Sequence, residues 1–193
     1  MLTLSLHSWR RKVCASVIIG WAACLPLHAV TMQELLSAKK MTPKKFANYF
    51  ENFRFDNHQF DVIDPHQFLS NRAGDCIDYA VLADHVLSKR GYDTRLIRVE
   101  MIGKNVGHAV CYVTESRAYL DYNNRRYFFT LERSGSSIRE IAAKVAASFN
   151  ANWTFAQEFT FDYDSFIKRA IYTIVKTAPP STDPDQLAAK SSS

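Results

Sequence analysis

The sequence predicts an α+β fold, in which one well-punctuated helix precedes a run of antiparallel strands. Three observations carry that reading. Residues 75–90 open on a capping aspartate, Asp75, and close at Gly91, where a left-handed residue is needed. Residues 94–101 alternate as a strand does, and 108–113 and 118–122 repeat the pattern. The 193 residues are 47% hydrophobic and 13% aromatic with only 6 Gly and 6 Pro, which supplies a core for one domain and excludes wholesale disorder.

The first 29 residues stand apart from that domain. Arg10, Arg11 and Lys12 form a positive segment, Val13 to Leu27 carries no charge, and Leu27-His28-Ala29 resembles a small-residue cleavage site. This is the pattern of a secretory signal peptide spanning residues 1–29. Its apolar stretch of about 15 residues falls short of the roughly 20 that span a bilayer. The expectation is a secreted or periplasmic protein with no stable membrane insertion after cleavage. Lipidation at Cys24 and an uncleaved N-terminal anchor are the alternatives. The whole chain has 24 Lys+Arg and 19 Asp+Glu, and residues 1–29 hold three of the basic residues and none of the acidic ones. The remainder therefore carries 21 − 19, or +2, and a nucleic-acid partner loses its electrostatic basis.

The elements follow in order. Residues 31–41 read as a short helix or lead-in. Thr42-Pro43 starts a helix, with Thr as N-cap and Pro at the first helical position, and Phe46, Tyr49, Phe50 and Phe53 recur at helical spacing. Residues 54–74 read as irregular, with Asp64-Pro65 as a turn. After the 75–90 helix and the first strand, Gly103-Lys104-Asn105 is a turn. A fourth strand is expected at Tyr127–Leu131. Ser137-Ile138-Arg139-Glu140 reads as a capping box opening a helix to Phe149. Residues 151–162 are aromatic-rich without a clear period. Asp164–Lys176 reads as an amphipathic helix, and 178–193, rich in Pro, Ser and Asp, as a disordered tail. The folded domain is then 30–177.

The chemistry centres on Cys76. A helix N-terminus, with its unpaired N–H groups and partial positive charge, stabilises a thiolate and can hold an oxyanion. His108, in Gly107-His108-Ala109, is the candidate base. Asp121, one strand on, is the candidate group that orients it, with Asn123 as an alternative orienter. Gln67 and Asn71, upstream of Cys76, are candidate oxyanion donors beside the Cys76 backbone N–H.

These residues carry a resemblance. Ala73-Gly74-Asp75-Cys76-Ile77-Asp78-Tyr79-Ala80, then Arg90-Gly91-Tyr92-Asp93-Thr94-Arg95, then His108-Ala109 and Asp121, resemble in order the core of the transglutaminase-like superfamily, over residues 60–130. The resemblance implies a papain-like core, with the Cys-bearing helix packed on an antiparallel sheet. It implies thiol acyl transfer by a Cys76-His108-Asp121 triad on a protein or peptide substrate, most simply peptide or amide hydrolysis. Transglutaminase-type crosslinking, a non-catalytic envelope-binding module on the same fold, and a small-molecule acyltransferase are the alternatives. Tyr122-Asn123-Asn124 departs from the Pro-Thr that family members often show after the Asp.

Other readings compete at single residues. Outside residues 1–29 only Cys76 and Cys111 remain, so a disulfide is conceivable. Strand alternation separates His108 from Cys111, so a Cys76 that meets His108 would leave Cys111 facing away, buried and free. The same divergence argues against a zinc site from Cys76, His108 and Cys111, and no metal or other cofactor is implied. His85 falls about 180° round the helix from Cys76, at about 100° per residue, and reads as a surface residue. His58 and His66 read as loop histidines. Asp78 reads as support for the helix start or a partner of Arg95. Trp153, Phe155, Phe159, Phe161 and Tyr163 read as core or sheet face, and Arg125-Arg126 as a solvated turn.

Overall fold

The computed structural model describes residues 30–58, 62–103, 107–124 and 131–176. The proposed signal segment, the tail at 178–193, Arg125-Arg126 and most of the expected 127–131 strand lie outside them.

Two short helices lead in, α1 (Met32–Ser37) and α2 (Pro43–Tyr49). Thr31 caps α1. Thr42 caps α2 by accepting from the Lys45 N–H at 3.1 Å, with Pro43 at the first position as its sequence predicts. Residues 54–74 are not irregular. A short strand β1 (Arg54–Phe55) pairs in parallel with β2 (Ala73–Gly74), and between them runs α3 (Pro65–Asn71). Asp64-Pro65 starts that helix instead of making a turn: the Asp64 carboxylate accepts from the N–H groups of His66 and Gln67. The Asp-Pro pair carries the same cap-and-proline signal as Thr42-Pro43.

Next comes α4 (Cys76–Ser88), then β3 (Thr94–Met101), β4 (His108–Val113) and β5 (Ala118–Leu120). A single 3-10 turn at Tyr122–Asn124 follows, then β6 (Glu132–Arg133), α5 (Ile138–Ser148), β7 (Trp153–Asp162) and β8 (Ile167–Val175). Strands β3 to β8 form one antiparallel sheet in the order β6-β5-β4-β3-β7-β8. The α5 start is fixed differently from the expected capping box. Ser137 makes no side-chain cap, and Glu140 reaches back to accept from the Gly135 N–H at 2.9 Å.

The largest correction is at residues 164–176, where a turn and then β8 (Ile167–Val175) stand in place of the expected helix. Ile167, Ala170, Ile171, Ile174 and Val175 fall at helical spacing, which imitates an amphipathic face. The segment is also β-branched, and eight backbone register pairs tie it to β7 across a tight turn that ends with Phe166 at φ 55°.

The sheet carries a core on each face. Helix α4 packs on one, with Leu96, Ala109, Cys111, Val113 and Leu120 beneath it and the rings of Phe46, Phe50, Phe68 and Tyr79 alongside. Helix α5 packs on the other, over Ile97, Val99, Val110, Tyr112, Tyr119 and Trp153. This is the α+β arrangement expected, with the Cys-bearing helix lying on an antiparallel sheet.

Candidate active site

Cys76 is the first residue of α4, and the cap before it fixes where it sits. Asp75 Oδ1 accepts from the N–H groups of Ile77 and Asp78, while Asp78 Oδ2 accepts from the Asp75 N–H at 2.9 Å, a reciprocal capping box. Gly74 makes room for it: a Cβ there would stand 2.5 Å from the Phe68 ring and 2.7 Å from Asp78 Oδ2. The N–H groups of Ile77 and Asp78 are thus taken by Asp75. The Cys76 N–H, at the first helical position, has no intrahelical acceptor.

His108 is the first residue of β4. The starts of α4 and β4 meet at one end of the sheet, where the Ala109 N–H donates to Cys76 Sγ at 3.5 Å and the imidazole contacts the same sulfur. His108 Nε2 and Asp121 Oδ1 are 2.8 Å apart, both side chains almost wholly buried. With Nε2 engaged, Nδ1 is the ring nitrogen left for the sulfur. Phe149 closes the other side of the ring at 4.8 Å between centroids. Burial alone would lower the His108 pKa. The Asp121 carboxylate and then Cys76 outweigh it and hold the ring up at about 10.

Asn123 takes part through its backbone. Its N–H donates to Asp121 Oδ1 at 2.8 Å, while its exposed side chain borders the cavity. Gln67 and Asn71 sit at exposed positions of α3 and are not among the cavity's lining residues, so the sequence's side-chain oxyanion candidates lie off the site. The cavity over Cys76 measures about 400 Å³. Its walls include Phe55, Ile77, Met101 and Phe149, with Asn57 and Arg98 as polar members. Asn57 had no signal in the sequence, because nothing there showed that β1 runs beside the strand leading into Cys76.

Cys76 and Cys111 are both free thiols. Alternation does put His108 with Val110 and Tyr112 on the α5 face and Cys111 on the other. The conclusion drawn from it needs correcting, because α4 lies on the Cys111 face. His108 and Cys76 meet only because both begin their elements at the sheet's end. Cys111 lies deeper under α4, where burial and then Asp84 push its thiol well above its ordinary pKa.

Three more expectations change. His58 is no plain loop residue, since its Nε2 pairs with Asp78 Oδ2 at 2.6 Å and lies 3.7 Å from Asp75 Oδ2. His85 is half-buried against the Tyr163 ring, 3.9 Å between centroids. Arg95 pairs with Glu158 at 2.6 Å and not with Asp78, whose carboxylate supports the helix start, the other of the two roles expected for it. His58, Asp75 and Asp78 bring their donor atoms within 4.8 Å of one another, the one group of metal-ligating type gathered so closely among the described residues. Their hydrogen bonds serve the α4 cap, with Asp78 Oδ1 also accepting from the Ile63 N–H at 2.9 Å. Burial, then the neighbouring Asp78, raises the Asp75 carboxyl to about 6.

Solved structures that resemble the chain include the following two. LapG of Legionella pneumophila, in its calcium-bound form, aligns at 14% identity and a TM-score of 0.40, over 77% of this chain and 78% of that one. A protein of Cytophaga hutchinsonii described as a candidate cysteine protease aligns at 15% identity and a TM-score of 0.37, over 78% of this chain and 50% of that one. No curated protein matches the sequence significantly. The family pattern of the transglutaminase-like domain matches residues 31–133, which run from α1 through Cys76, His108 and Asp121 to β6, and the chain belongs to that family.

Proposed function

We propose that the chain is an exported thiol-dependent acyl-transfer enzyme that hydrolyses peptide or amide bonds through Cys76, His108 and Asp121. The observation that carries the reading is the buried imidazole held between the Asp121 carboxylate, 2.8 Å away, and the Cys76 sulfur at the mouth of a cavity. A structural cysteine under a helix needs no such arrangement, and Cys111 shows what one looks like here.

With the proton on His108, the sulfur attacks the substrate carbonyl as a thiolate. In this reading the Cys76 N–H, free of an intrahelical acceptor, receives the developing oxyanion, and Asn57, which lines the same cavity, is the candidate second donor. His108 then gives its proton to the leaving amine, and the neutral ring takes one from the water that resolves the acyl-enzyme. Asp121 fixes which ring nitrogen faces the sulfur. Export rests on the signal-type residues 1–29.

The test is the labelling rate of the native protein with a thiol-directed reagent, in parallel with His108→Ala. The expected result is rapid labelling of Cys76 at neutral pH, lost in the variant. A Cys76 that reacts no faster than a free thiol, and indifferently to His108, defeats the proposal. Hydrolysis of a Gln-peptide measured against amine incorporation into it separates hydrolysis from transamidation.

A further inference from the structure

Cys76 begins a helix whose positive end is already partly in use. The N–H groups of Ile77 and Asp78 donate to Asp75 Oδ1, and the carboxylates of Asp75 and Asp78 both lie at the helix start. A thiolate at Cys76 is a third anion there, and like charges that close disfavour one another. The two cations that line the cavity are each matched by an acid. His108 pairs with Asp121 at 2.8 Å, and Arg98 with Glu100 at 2.7 Å. Asp75 and Asp78 are left in excess. Asp75, raised to about 6, is largely ionised at neutral pH.

His58 meets both of these acids. Its Nε2 lies 2.6 Å from Asp78 Oδ2 and 3.7 Å from Asp75 Oδ2, and its side chain is only 15% exposed. Backbone pairing brings it there. The Arg54 N–H donates to the Arg72 carbonyl and the Asp56 N–H to the Gly74 carbonyl, each at 2.8 Å, which lays β1 along the segment entering α4. Asn57, the residue before His58, lines the cavity, and Asp56 is exposed. Opposite charges within about 4–6 Å of an imidazole favour its protonated form, and both cap carboxylates are inside that range.

We propose that His58 is a positioning residue for the Cys76 reaction: as an imidazolium bridging the two cap carboxylates, it offsets their charge so that Cys76 forms its thiolate at neutral pH. The inference rests on the thiol acyl-transfer reading above and adds to it a residue outside the Cys76-His108-Asp121 set. His58 acts through the α4 cap, and the loss of its charge is felt at the sulfur.

The experiment compares the full wild-type chain with His58→Gln, whose amide nitrogen can keep the bond to Asp78 without the charge. Labelling of Cys76 by a thiol-directed reagent is followed from about pH 4 to about pH 9, and the protonation of the wild-type His58 ring is read from its nitrogen NMR shifts. The expected result is an imidazolium at His58 at neutral pH. In the variant, the acid limb of the labelling profile moves up by about one pH unit, which is about tenfold less thiolate below the midpoint. The rate well above the midpoint stays within about twofold of wild type. A His58 ring that is neutral at neutral pH, or a variant profile that superposes on the wild type, overturns the proposal. So does a variant slowed equally at every pH, because that is a loss of geometry and not of charge. A wild-type Cys76 no faster than a free thiol at any pH defeats the acyl-transfer reading itself, and this role with it. The ring shifts come from the wild type alone, so they decide the matter should His58→Gln fail to fold.

Discussion

At Asp121, one carboxylate oxygen does two jobs. Oδ1 faces His108 Nε2 and accepts from the Asn123 N–H, each at 2.8 Å, while Oδ2 is buried without a partner. The charge is therefore spent mainly on the imidazole. Asp121→Asn should drop the His108 pKa from about 10 toward or below 6.5, followed by NMR titration of the ring protons, and lower kcat/KM by about a hundredfold or more. The stability consequence follows in sign. A folded pKa raised above the unfolded value stabilises fully below about 6.5, and that gain is lost as pH rises through about 10. Wild-type stability should fall across that window, and the Asn variant should fall less. At Cys111, burial keeps the thiol protonated, so reagents should label it only after unfolding, as a mass count of modified sites will show. Cys76, His108 and Asp121 were legible because a helix start, a strand start and the next strand each carry a sequence signal. Asn57 was not, because its place depends on a parallel two-residue pairing, Arg54 with Ala73 and Phe55 with Gly74, that leaves no periodicity to read.

Among the elements, α4 shows most directly how local chemistry positions a reactive group. Its cap couples two carboxylates, and burial with the neighbouring Asp78 raises Asp75 to about 6 from an ordinary 3.8. A carboxyl raised on folding favours the native state most where it is protonated, and that advantage disappears as pH climbs through about 6. Asparagine caps about as well as aspartate and carries no charge. Asp75→Asn should therefore gain on wild type in thermal midpoint as pH goes from about 4 to 8. Asp75→Ala should lose about 1 kcal/mol near pH 4, measured by denaturant unfolding, and that loss should shrink toward pH 8 as the wild type forfeits the same advantage. A uniform loss in both variants would mean that the Asp75–Asp78 repulsion is negligible. The α4 boundaries were readable from Asp75 and Gly91, and Gly91 takes the expected left-handed φ of 83°. The sequence was less decisive at α3 and β8. Asp-Pro fits a turn as well as a helix start, and the five apolar residues of 167–175 satisfy a helical period that pairing with β7 overrides.

Across the whole molecule, two helices divide the sheet unequally. Helix α4 covers β3 and β4, and α5 covers β3 and the start of β7, so the far edge is left bare. Of the eight large apolar side chains exposed among the described residues, six belong to the β7–β8 hairpin: Phe155, Phe166, Ile167, Ile171, Tyr172 and Val175. Strand β8 is also the sheet's edge, nine residues long, with its outer backbone groups unpaired in the sheet. Long apolar edges template further strand pairing, and proteins usually blunt them with charge or a bulge. Here there is a register shift between Glu158 and Phe159 opposite the segment Ala170–Tyr172, and Lys168 and Arg169 charge one end, while Ile171 remains 60% exposed. Replacing Ile171 removes no buried contact, so Ile171→Lys should change folding stability by no more than about 0.5 kcal/mol. It should also raise the concentration at which the protein aggregates on warming, read by light scattering. A stability loss of several kcal/mol would mean that Ile171 packs against part of the chain. An unchanged aggregation threshold would mean that another surface governs solubility.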